Sequence, residues 1–149
     1  MPMVKDATEI RVKLSDGEEY AAEVLTVDSV LNLARLRVKL SDGRTPAVFR
    51  YFDDFGGMEV GDRVYVAGAA TMTDGTLKSG RISEKIPADD SGGNMAAYHV
   101  TALIEQGDHG GPVLKDNGAL LGVSCRPSVD VRAVPYVIPI EYAFQMKQR

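Results

Sequence analysis

An all-β fold is what this sequence predicts, and three observations carry it. Apolar stretches are short, and turn signals separate them roughly every ten residues. Polar and apolar residues alternate within several stretches, as in Glu9-Ile10-Arg11-Val12-Lys13-Leu14, which suits a strand with one covered face. Fifteen glycines fall in 149 residues, and no long stretch has helical apolar spacing. Strands of this length and spacing form a sandwich or a Greek-key barrel.

The elements follow in order. Residues 9–14 read as a first strand, closed by the turn Ser15-Asp16-Gly17-Glu18. Residues 19–27 form a second, with Tyr20, Val24 and Val27 as core candidates, and Asp28-Ser29 breaks it. Residues 31–40 form a third, ended by Ser41-Asp42-Gly43. A short strand over 47–52 precedes the loop Asp53-Asp54-Phe55-Gly56-Gly57. The turn at Val60-Gly61-Asp62 leads into a strand, and residues 71–75 are a polar tip before the return strand over 77–82. Residues 87–94 are a polar loop, and a strand follows over 96–104. Asp116-Asn117-Gly118 joins two strands as a hairpin, since Asn-Gly supplies the positive φ such turns need. The last strand covers 134–140, and Pro139 opens a terminal helix over 142–147.

Composition narrows the function classes. With 44% hydrophobic and 26% charged residues the chain is globular rather than disordered. A net charge of -4 argues against a broad nucleic-acid footprint. Cys125 is the single cysteine, so no internal disulfide forms. No run approaches 18 apolar residues, so no membrane span is expected. Met1 to Asp6 has no apolar core, so no secretory signal is read there.

The densest motif is Gly107-Asp108-His109-Gly110-Gly111-Pro112-Val113. It resembles the nucleophile loop of trypsin-like serine proteases, Gly-Asp-Ser-Gly-Gly-Pro-Val, with His109 where serine belongs. Other stretches resemble the HtrA/Deg branch of that family, in the same order. Asp16 to Val24 followed by Asp28 is similar to the segment after its histidine loop. Leu31-Asn32-Leu33-Ala34-Arg35-Leu36 is similar to its aspartate strand, normally Asp-Leu-Ala-x-Leu. Val60-Gly61-Asp62 to Ser79-Gly80-Arg81-Ile82-Ser83 resembles its hairpin, and Pro135 to Ile140 its closing strand. The resemblance covers nearly the whole chain. It implies a chymotrypsin-like double β-barrel: a partial N-terminal barrel over 1–55, and a complete second barrel over 56–149 with a short C-terminal helix. The family's first strands and histidine loop have no counterpart before Ala7. A half-barrel leaves strand edges open, so a partner chain, a swapped protomer or a further N-terminal segment is expected to cover it.

Hydrolysis by this family needs a nucleophile, a base and an orienting carboxylate. The resemblance puts His109 at the first position and Asn32 at the third, and no histidine precedes Asn32. An amide cannot stabilise an imidazolium, and Asp-to-Asn at this position lowers serine-protease turnover by about 10⁴. No catalytic residue is therefore expected to function. The resemblance also implies an oxyanion-hole-like backbone at Gly107, Asp108 and His109, an apolar pocket floor at Leu103, and a peptide-pairing edge at Gly122, Val123 and Ser124.

Other residues have plainer readings. His99, Asp108 and His109 are weak candidate metal ligands, too few in pattern for a zinc site, and no cofactor is expected. Cys125 reads as a structural thiol rather than a nucleophile. Asp53-Asp54 and Asp89-Asp90 read as solvated loops. The sequence thus points to a pseudoprotease that binds peptide or protein. The alternatives are a hydrolase fragment completed by a partner or a missing segment, and a metal-binding module. Location stays open, with export expected if a longer precursor exists.

Overall fold

In the computed structural model the described residues are 4, 7–15, 17–40, 43, 45–51, 58–68, 77–88, 96–125 and 134–146. They fall into two compact units, one of residues 1–48 with 143–149, the other of residues 49–142.

The first unit is an open antiparallel sheet in the order β1-β2-β3, with β1 Arg11–Lys13, β2 Glu19–Asp28 and β3 Leu33–Val38. Alternation sets its two faces. Val12 lies opposite Tyr20 and Ala22 opposite Val38; Val12, Tyr20 and Val38 are half-buried, while Arg11, Lys13, Glu19, Glu23 and Arg37 are exposed. Arg37 reaches Glu23 at 3.5 Å and Arg11 reaches Glu9 at 2.8 Å. Such exposed pairs add at most about 1 kcal/mol each. A bulge between Val24 and Thr26 re-aims the end of β2. Among the described residues of 1–48, Thr26 alone is buried, so this sheet encloses no apolar core of its own.

The second unit is a closed six-stranded barrel in the order β4-β5-β6-β9-β8-β7. Its strands are β4 Arg63–Val66, β5 Lys78–Ile86, β6 Ala97–Val100, β7 Pro112–Lys115, β8 Leu120–Cys125 and β9 Tyr136–Pro139. Met58, Val64, Val66, Ile82, Tyr98, Val100, Ala102, Ile104, Val113, Leu121 and Val137 form one buried cluster. Each large side chain of that set contributes on the order of 1.5–3 kcal/mol by leaving water. The short helix α1, Glu141–Gln145, follows β9.

The double-barrel class expected from sequence is therefore present as one closed barrel and one open sheet. Several boundaries differ: β5, expected to end at residue 82, runs to Ile86. Residues 47–51, expected as a strand, have no regular structure and are all exposed. Their contact with a strand is the Leu120 N–H donating to the Arg50 carbonyl at 2.7 Å. The expected strand over 96–104 stops at Val100, because the chain turns there toward the glycine loop. The polar tip at 71–75 and the acidic loops at 53–54 and 89–90 lie outside the described residues.

Candidate functional site

The glycine loop begins where β6 ends. Ala102 and Ile104 are buried at 2% and 0% exposure and anchor the approach, while Leu103 between them faces out. Gln106–Asp108 then makes a single 3₁₀ turn, and the Asp108 N–H donates to the Glu105 carbonyl at 3.0 Å. His109 is extended, and Gly110 takes a φ of 77°, a conformation that favours glycine. The loop is fastened to β8. Gly110 N–H donates to the Ser124 carbonyl at 2.9 Å, and Ser124 N–H to the Gly111 carbonyl at 2.9 Å. The buried Ser124 Oγ donates toward the Asp108 carbonyl at 2.5 Å and lies 3.1 Å from the Gly111 carbonyl.

Beneath the turn lies a charge cluster. The Asp108 side chain is fully buried, and its Oδ2 accepts from Lys78 Nζ at 2.6 Å and from the Glu105 N–H at 3.0 Å. The same Lys78 ammonium reaches Glu105 Oε2 at 2.5 Å. Burial by itself raises the Asp108 pKa. The Lys78 hydrogen bond, the Glu105 N–H and the nearby positive field of Lys78 and His109 outweigh it and hold the carboxyl below its usual range. Hydrogen bonds to Asp108 and Glu105 raise Lys78 in turn. Asp108 Oδ1 is buried without a hydrogen-bond partner among the described residues. Gly68 gives this carboxylate its room, because a Cβ there would collide with Oδ1.

The residues singled out from sequence are placed as follows. His109 is half-buried, and Gly107 is exposed. Asn32 follows a turn capped by Asp28, whose Oδ1 accepts from the N–H groups of Val30 and Leu31, both at 2.9 Å. Asn32 has a φ of 53°, the one non-glycine residue with positive φ among those described. Asn tolerates this region better than most residues, so the position has a backbone role besides its place in the motif.

The other residues named from sequence have these surroundings. Gly122, Val123 and Ser124 do not form a free edge. β8 pairs with β9 on one side, and with β7 and then Gly110–Gly111 on the other. A closed barrel leaves no edge at its inner strands. Leu103 is 64% exposed, so it is not enclosed as a pocket floor among the described residues. His99, Asp108 and His109 are not gathered as ligands. No group of three or more metal-binding side chains occurs among the described residues. His99 Nδ1 instead lies 3.0 Å from Glu84 Oε2, while Asp108 is engaged by Lys78.

Cys125 is buried beside Tyr136, its register partner on β9. Burial and the Cys125 contact push the Tyr136 hydroxyl pKa well up. Sequence reading missed Lys78 and Gly68, which lie far from the loop in sequence, at 30 and 40 positions from Asp108. The available signal was a lysine leading the strand before Gly80, and only the β4–β5 pairing shows where it points.

A trypsin-like peptidase domain model matches residues 3–123. The chain belongs to the trypsin-like peptidase family. Among its relatives is the magnetosome formation protease MamE of Paramagnetospirillum magneticum, 30% identical over 127 residues, covering 82% of this chain and 17% of that protein. A probable periplasmic DegP-like serine endoprotease of Bartonella henselae is 28% identical, covering 99% of this chain and 29% of that protein. The chain thus spans less than a third of either relative. Among solved structures, the HtrA-type protease AlgW with a decapeptide aligns with a TM-score of 0.76 at 24% identity. That alignment covers 95% of this chain and 43% of AlgW. The chain is thus similar over nearly all its length to proteases of the DegP and HtrA type. No helix among its described residues is long and apolar enough to cross a membrane.

Proposed function

We propose that this trypsin-like domain is a pseudoprotease that binds peptide or unfolded protein without cleaving it. One observation carries the reading: the loop keeps its hydrogen bonds to β8 and its paired, buried carboxylate, while its sequence has His109 where the family resemblance puts the nucleophilic serine. Asn32 at the carboxylate position agrees with it. In a serine protease the loss of the whole triad costs about 10⁶ in turnover, while backbone pairing with an extended peptide needs no triad. The decapeptide in the AlgW structure supports peptide as the ligand class. The open sheet of the first unit, lacking a core of its own, is the surface we propose another chain or further strands of this fold cover.

Titrating fluorescently labelled, unfolded β-casein peptides and following anisotropy tests the reading. Saturable binding with the peptide recovered intact is expected. Cleavage would overturn the inactive half of the proposal, and absence of binding the other half.

A further inference from the structure

Asp108 is fully buried, yet its charge-bearing partner Lys78 comes from another part of the chain, at the start of β5. A buried carboxylate is costly unless it is paired and hydrogen-bonded. Here Oδ2 has two donors, Lys78 Nζ and Glu105 N–H. The Asp108 carbonyl in turn accepts from Gly111 N–H at 3.1 Å and from Ser124 Oγ. One residue therefore ties the turn to β5 through its side chain and to β8 through its backbone. Glu105 shares the same ammonium, so Lys78 holds both ends of the 3₁₀ turn, the residue just before it and its last. A neutral side chain at position 78 would leave the buried Asp108 carboxylate with the Glu105 N–H as its remaining donor on Oδ2. The turn would then have to open to hydrate the carboxylate, or the carboxyl would have to protonate.

We infer that Lys78 is a positioning residue for the Gly107–Gly111 turn, setting the arrangement in which the turn meets a peptide. This rests on the peptide-binding reading for its consequence, but the state of the turn is measurable without any ligand. The Gly110 and Gly111 amides donate to Ser124 and Asp108 carbonyls, so their hydrogen exchange reports the turn directly. The test is amide exchange by NMR on the full chain for Lys78→Met, Lys78→Arg, Asp108→Asn and the double variant Lys78→Met/Asp108→Asn.

Lys78→Met is expected to speed exchange at Gly110 and Gly111 by about tenfold or more, with barrel amides such as Val64 and Val137 unchanged. Lys78→Arg restores most of the protection, since it keeps the charge. With Asp108 already neutral as Asn, adding Lys78→Met changes little further. Equal acceleration across all barrel amides would overturn the inference, because it marks a general stability role. Unchanged exchange at Gly110 and Gly111 would also overturn it. If Lys78→Met does not fold, Glu105→Gln carries the test: faster local exchange at Gly110 and Gly111 supports the inference, and none counts against it. Casein-peptide anisotropy on the same variants separates the two proposals. A wild-type chain that binds no peptide removes the peptide-binding reading while the exchange data still judge Lys78.

Discussion

At the scale of single residues, Asn32 and Asp108 are motif positions with a structural task. Asn32 has a φ of 53°. Replacing it with alanine should destabilise the chain by about 1 kcal/mol, while glycine should be close to neutral. Urea denaturation of both variants checks this, and an alanine variant as stable as the parent would refute the backbone role. Asp108 gives the pH dependence. Its carboxyl pKa is held down in the folded chain, so its contribution is fully present above the unfolded value, near 4. That contribution is lost as pH falls through the lower folded value. Glu141 has the opposite sign, because burial raises its pKa and folding is favoured as it protonates. Thermal melts from pH 6 to pH 2 should therefore show a shallower acid loss in Asp108→Asn than in the parent. A steeper loss in the variant would contradict that sign.

At the scale of elements, the strand order explains what sequence could and could not reveal. Turn chemistry made the β7–β8 hairpin legible, and Gly118 does take a φ of 77°. Alternation exposed β1 to β3, and the glycine loop was visible at once. The role of Gly122–Val123–Ser124 was not, because a strand's free side depends on which neighbours pair with it. That is decided by residues such as Gly111 and Ile138, remote or unpatterned in sequence. Lys78 was hidden for the same reason. β8 and β9 also approach closely at Gly122, where a Cβ would overlap the Ile138 carbonyl oxygen. Gly122→Ala should then cost roughly 1–3 kcal/mol by wedging the two strands apart. Denaturant titration reads the loss, and an unchanged midpoint would show that the strands yield freely.

At the scale of the whole molecule, the apolar core is unevenly shared. Among the described residues, every buried apolar side chain apart from Met146 lies between Met58 and Ile140. The β1–β3 sheet should accordingly exchange its amides faster than the barrel strands. Equal protection in both units would mean that the sheet draws stability from contacts of another kind. The same division bears on function, since the loop, its charge cluster and its β8 fastening all lie within the barrel unit. The central claim is that this barrel keeps the frame of a trypsin-like site without its chemistry. Incubation with a fluorophosphonate probe and with casein tests it most directly. No labelling and no cleavage are expected from the parent chain, and none is restored by His109→Ser alone. Covalent labelling of the parent, or casein cleavage that tracks with the purified chain, would contradict the claim.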